Sequence, residues 1–280
     1  MRIEWIEAFL TTAETQSLTK ASELLNMTQP ALSKQIKNLE NDVGASLFAR
    51  STVGVTLTKA GEQLVPACQR ICTEWNEAKK AIAAEQGLKG ITIGAWPSLA
   101  TSYLPKRLAG TDRQDYSLKI SHSYVDLLNG LKDGTMDVAL FDDKDISHPY
   151  FSTYLFSEGF QLFVHKDHPL YGHAESVHFN EIKEEEFLML LETCDARTLI
   201  QKEFQARGAT LRISSEIEFG QTILGFIEAN IGISILPEIF AERIAPPVRS
   251  IPIEGFDVSR KVSVIAREEK VGKKVLAMVK

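Results

Sequence analysis

Several groups of side chains in this sequence are spaced as if to do chemistry. Gln29, Ser33, Lys34 and Lys37 recur on a stretch whose other positions are Leu32, Ile36, Leu39 and Val43, so a helix there has one polar and one apolar face. On such a face glutamine meets adenine bidentately and lysine reaches guanine or phosphate in the major groove; an ordinary solvated surface is the competing reading. Cys68 and Cys72 lie four apart, which admits a redox pair or two soft metal ligands against the plainer role of small buried hydrophobes. His165, His168, His173 and His178 make a third group. A strand end, Pro169 and Gly172 set them in a solvated loop, so no metal and no other cofactor is expected. No nucleophile elbow, phosphate-binding lysine loop or G-x-G-x-x-G occurs, which leaves catalysis without a constellation.

The elements that must position these residues follow from periodicity. Ile3, Ile6, Phe9, Leu10 and Ala13 predict a first helix, Ser17 caps a second that ends at Asn26, and Thr28 caps a third with Pro30 in its first turn. Phe48, Val53, Val55 and Leu57 flank the turn formers Ser51 to Gly54 as in a short hairpin or wing that carries Arg50. Beyond Thr58, the residues Leu64, Cys68, Ile71, Trp75, Ala78 and Ile82 step by 4, 3, 4, 3 and 4. That is a coiled-coil seam on one long helix, with Pro66 expected to bend its first turns. Gly87 to Gly90 predicts a hinge.

Strands then alternate with helices: ITIGA (91–95), SLKISH (117–122) and DVALF (137–141), followed by a second set from FQLFVH (160–165) to GISIL (232–236) and a last strand RKVSVIA (260–266). This order predicts parallel sheets in two α/β subdomains. Ligands in such sheets gather beyond the carboxyl ends of strands. The candidate residues there are Trp96, Pro97, Ser98 and Leu99, then His122 and Ser123, Phe141, Thr193 and Cys194, and Phe219 and Gly220. Ser98 is expected to cap a helix, and Asp142, Asp195 and Arg197 to adjust the charge.

Composition bounds the function. Among 280 residues, 44% are hydrophobic and 24% charged, and the net charge is −6, which fits a globular chain of two or three units and not a nonspecific polyanion binder. Residues 1–59 balance six bases (Arg2, Lys20, Lys34, Lys37, Arg50, Lys59) against six acids. The 25 bases and 31 acids that follow carry all the excess. No long uncharged run occurs, so neither a membrane span nor a secretory signal is expected, and three cysteines without paired spacing fit a reducing cytoplasm.

The run SLTKASELLNMTQPALSKQIKNLENDVGASLFARSTVGVTLTKAG (17–61) resembles the N-terminal signature of LysR-type transcriptional regulators, and ITIGAWPS, HPL (168–170) and IGISILPE (231–238) look like landmarks of their effector domain. The resemblance implies a winged helix-turn-helix over 1–57, a linker and dimerisation helix over 58–86, and a periplasmic-binding-protein-like sensor over 87–280. Subdomain I of the sensor would span 90–160 plus 263–280, and subdomain II 161–262. It implies DNA contact by Thr28, Gln29, Pro30, Ser33, Lys34, Lys37 and Arg50, a homo-oligomer (dimer or tetramer), a small-molecule effector, promoter bending and RNA polymerase as a partner. Lysines at 34 and 37 and a wing without bases between Ser51 and Thr58 depart from many relatives. The competing function is a small-molecule-binding protein or cryptic enzyme that uses the head as an interaction module; a further one is a regulator whose cleft is filled by its own side chains.

Overall fold

The computed structural model describes residues 2–51, 54–85, 90–112 and 115–280, with the side chains of 50, 51, 80 and 83–85 excepted. The middle of the expected wing turn, most of the expected Gly87–Gly90 hinge and the Arg50 side chain fall outside the described residues. Contacts divide the chain into two units, Met1–Leu88 with Lys132–Thr135, and Lys89–Leu131 with Met136–Lys280.

In the first unit α1 (Ile3–Thr15), α2 (Leu18–Leu24) and α3 (Gln29–Val43) precede a hairpin of β1 (Phe48–Ser51) and β2 (Gly54–Leu57). Local chemistry sets each boundary. Ser17 accepts from the Lys20 amide at 3.3 Å and Thr28 from that of Ala31 at 3.4 Å, while Asn26 (φ 50°) and Gly44 (φ 75°) take the left-handed conformation past α2 and α3. Leu32, Ile36 and Leu39 are buried. Val43, expected to continue that stripe, is exposed at the last residue of α3.

Phe48 pairs with Leu57 in the antiparallel hairpin, and the Val55 amide donates to the Gln16 carbonyl at 3.1 Å, which ties the wing to the end of α1. Thr58 then caps α4 (Lys59–Glu85), accepting from the Gly61 amide at 3.1 Å while its hydroxyl donates to the Ser46 carbonyl at 2.7 Å. The helix is assigned continuously through Pro66. Pro66 and Glu62 are both exposed, so water reaches the carbonyl that proline leaves without its donor.

The described residues of the second unit form two larger sheets and a two-stranded one. β3 (Ile91–Ala95), β4 (Tyr116–Ile120) and β5 (Val138–Asp142) pair in parallel, as the βαβαβ order predicts. β13 (Arg260–Ala266) inserts antiparallel between β5 and β6 (Phe151–Glu158) and completes the order β4-β3-β5-β13-β6. The second sheet has the order β11-β7-β12-β8, from β7 (Phe160–His165), β8 (Val177–His178), β11 (Ser234–Pro237) and β12 (Val248–Glu254). It is mixed, since β7 runs antiparallel to both β11 and β12, whereas a parallel sheet was expected. β9 (Glu186–Met189) and β10 (Arg212–Glu216) form a separate parallel pair, bridged to the chain before β11 through Phe187 and Ile233.

Two segments cross between the subdomains: Gly159 between β6 and β7, and residues 255–259 between β12 and β13. β13 therefore belongs to the first sheet from Arg260 onward. α5 (Leu104–Arg107), α6 (Tyr124–Lys132), α7 (Phe179–Ile182), α8 (Asp195–Ala206), α9 (Gly220–Glu228) and α10 (Glu269–Val279) complete the fold. A continuous apolar core runs through both subdomains, including Leu140, Phe163, Phe187, Ile235 and Val264.

Candidate DNA-binding face and effector cleft

On the head, α3 is positioned by its apolar side. Leu32 and Ile36 pack with Ala8 and Ala21, and Leu39 packs with Ile6 and Phe9. The opposite side presents Thr28, Gln29, Pro30, Lys34 and Lys37 to solvent, with Ser33 half-buried beside them. Lys37 lies 3.6 Å from Glu40, whose other oxygen accepts from the Leu47 amide at 2.8 Å, so part of its charge is offset within the helix.

The expected seam of α4 divides. Cys68 is fully buried in the head's own core, which takes it out of the expected seam, and Leu64, half-buried, packs against the same core. The cause is β2 and α1, which cover the first turns of α4. Further along, Ile71, Trp75, Ala78 and Ile82 are exposed, Trp75 to 51% and Ile82 to 55%. Cys68 and Cys72 are free thiols, and burial pushes both up to about 11. A neutral buried thiol is neither a metal ligand nor a nucleophile. Among the described residues no group of three or more His, Cys, Asp or Glu could hold a metal.

In the second unit a narrow cavity of about 20 Å³, little more than one water needs, lies between the subdomains. Trp96, Pro97, Ser98, His122, Cys194 and Gly220 line it, as their place at strand ends leads one to expect. Leu190, Ala196, Pro237, Phe240 and Arg260 line it as well and were not expected. Pro237 ends β11, so the rule that found the others applies to it too. Arg260 starts a strand and carries no local signal.

The remaining expected residues stand elsewhere. Leu99 and Phe141 are fully buried in the core, Phe141 stacked on Tyr124 at 6.3 Å between centroids. Both side chains belong to the core and neither lines the cleft. Ser123 accepts from the Val125 amide at 3.1 Å and starts α6. Thr193 is exposed outside the cavity, and Phe219 lies 44% exposed beside the His122 ring at 5.3 Å. Ser98 caps no helix; its hydroxyl accepts from Arg260 Nη2 at 2.8 Å. Arg197 turns from the cleft to the Glu216 carboxylate and the Leu190 carbonyl. Asp142 is spent on the Lys144 and Lys261 amides.

The charged core of the site is a pair joining β6 and β13 at the ends next to the crossings between subdomains. Arg260, 2% exposed, donates through Nε (2.8 Å) and Nη2 (2.6 Å) to Glu158 Oε1. Glu158 Oε2 accepts from the Ile239 amide at 2.8 Å. The guanidinium also lies 4.8 Å from the Trp96 ring centroid. Trp96 donates its indole N–H to Asp195 Oδ2 at 3.0 Å, and the Tyr124 amide donates to the same oxygen at 2.8 Å. Burial raises the Asp195 carboxyl above its ordinary range. Gly220 is required where it stands, since a Cβ there would meet Phe240 Cζ at 2.6 Å.

Residues 3–62 match the family described as bacterial regulatory helix-turn-helix protein, lysR family, and residues 85–280 match the LysR substrate binding domain. The chain belongs to the LysR family of DNA-binding transcriptional regulators. It is 36% identical over 248 residues to the HTH-type transcriptional regulator YybE of Bacillus subtilis (strain 168), covering 85% of this chain and 83% of that one. A probable nitrogen assimilation transcriptional activator of Synechococcus elongatus is 26% identical over 96% of this chain and 90% of its own. Among solved structures, full-length CbnR in complex with its target DNA superposes with a TM-score of 0.55 at 23% identity, covering 100% of this chain and 98% of that one. Full-length BenM does so with a TM-score of 0.57 at 24% identity, over 100% and 95%. The curated relatives are regulators and not enzymes. Among the described residues no helix is long and apolar enough to cross a membrane.

Proposed function

We propose that this regulator, working in the cytoplasm as a homo-oligomer, binds and bends its operator under the control of a small carboxylate-bearing effector held between the sensor subdomains. In this reading Gln29 and Ser33 read bases, Lys34, Lys37 and Arg50 position phosphates, and Thr28 and Pro30 belong to the same DNA-binding surface. Ile71, Trp75, Ala78 and Ile82 pair two subunits, and RNA polymerase is the partner at the promoter.

The observation that carries the effector reading is the cavity itself: Trp96, Leu190 and Phe240 give it apolar walls, and Ser98 and Arg260 give it hydrogen-bond donors. A compact ligand with one acidic group and an apolar body uses both. The experiment is footprinting of the region upstream of its own gene with and without organic acids and amino acids, with a thermal-shift series on the parent, Ser98→Ala and Trp96→Ala. A compound that changes the footprint and stabilises the parent several degrees more than either variant supports the reading. A compound that changes the footprint yet stabilises all three equally overturns the site, and absence of any sequence preference on DNA overturns the regulator's reading of bases.

A further inference from the structure

Beyond that reading, on which this one rests, the groups around the cavity divide by how their hydrogen-bonding capacity is used. Glu158 lies behind Arg260 and does not line the cavity; one of its oxygens takes Nε and Nη2 of Arg260, the other the Ile239 amide. Asp195 has Oδ2 taken by Trp96 and by the Tyr124 amide. Among the polar residues that line the cavity, Ser98 and Arg260 carry donors, and His122 Nδ1 is buried without a hydrogen-bond partner. Ser98 Oγ already accepts from Arg260, which leaves its proton to point at a ligand, and Nη1 takes no part in the bonds of Arg260 to Glu158 and Ser98.

We propose that Arg260 reads the effector's charge and that Glu158 behind it limits the charge the cleft accepts, so that the site selects monocarboxylates over both uncharged analogues and dicarboxylates. Distance decides the sign. A carboxylate on Nη1 and Ser98 touches the guanidinium at hydrogen-bond range, while the Glu158 charge lies on the far side of it, and Coulomb energy falls with separation. A second carboxylate has no such cation. Its charge adds to those of Glu158, behind Arg260, of Asp195, bonded to Trp96, and of Glu218, 3.9 Å from His122 Nε2. Arg197, the other buried cation nearby, is already committed to Glu216. An uncharged amide offers a weaker acceptor to a charged donor.

The test is calorimetric titration of the full chain with butyrate, butyramide and succinate, four carbons each. In the parent, butyrate is expected to bind at least tenfold more tightly than either of the others. Glu158→Gln keeps the shape and an acceptor for Arg260 but removes one negative charge, so butyrate affinity rises about tenfold and the gap to succinate narrows. Arg260→Gln should abolish the preference for butyrate over butyramide. If Glu158→Gln does not fold, the ranking in the parent still decides the matter. Butyramide or succinate equal to butyrate, no measurable binding of butyrate, or a folded Glu158→Gln within twofold of the parent overturns the proposal. The effector reading fails separately. If compounds that alter the footprint do so equally in Arg260→Gln, the effector stands and Arg260 falls; if butyrate ranks as expected but no compound alters the footprint, the charge selection stands and the effector role falls.

Discussion

At the scale of single residues, two environments on the head make opposite demands. Gln29 projects into solvent from the first turn of α3, beside buried Leu32. Gln29→Ala is expected to lose roughly 1 to 3 kcal/mol at the specific operator and almost nothing on random DNA, measured by competition binding; equal losses on both would assign it to the backbone. Cys68 and Cys72 face inward, and burial lifts both from 9.0 to about 11. The folded state favours the neutral thiol, so its stabilisation is complete below pH 9 and is lost as pH rises toward 11. Head stability should fall on the order of 2 kcal/mol per thiol by pH 11. Denaturation of the parent against the Cys68→Val, Cys72→Val double variant checks this, since the variant lacks that part of the decline.

At the scale of elements, α4 does two jobs along one length. Its start is clamped to the head: a Cβ on Gly61 would stand 2.3 Å from the Leu47 carbonyl oxygen and 2.8 Å from Leu57 Cδ2. Gly61→Ala is therefore expected to cost more than about 2 kcal/mol, because backbone and not a mobile side chain must yield. Urea denaturation followed at Trp5 reads this, and a loss below about 0.5 kcal/mol would show that the clamp gives way easily. Its later turns leave Ile71, Trp75, Ala78 and Ile82 uncovered. Ile71→Asp should yield monomers with an intact sensor, since a paired seam would bury two carboxylates without partners. Sedimentation decides, and an unchanged oligomer places the pairing elsewhere.

At the scale of the whole molecule, charge is distributed unevenly between functions. The first 59 residues are neutral overall while the chain carries −6, so the rest of the protein repels DNA and a few local cations must hold it. Lys37 is partly offset by Glu40 as well. The salt dependence of operator binding should accordingly be shallow, with a slope corresponding to only a few phosphates per protomer. Titration between about 50 and 200 mM salt tests it; a slope corresponding to eight or more phosphates per protomer would mean that further cations reach the DNA.

The head was legible in the sequence because its determinants are local. Ser17, Asn26, Thr28 and Gly44 set helix ends within a few residues of themselves, and the steps of Leu32, Ile36 and Leu39 fix which side of α3 is buried. The lining of the cleft at Trp96, Ser98, His122, Cys194 and Gly220 was legible for a related reason, since the end of a strand and the start of a helix are sequence neighbours. Three things were not. The split of the α4 seam depends on α1 and β2 covering Cys68, and periodicity alone does not say which side of a stripe its own chain will bury. The antiparallel course of β7 depends on long connections whose path no local pattern records. The pairing of Arg260 with Glu158 spans 102 residues and joins β6 and β13 at the ends next to the crossings between subdomains. Neither residue has a local reason to be buried; each is held in the interior because the other is there, and only the tertiary structure brings them together.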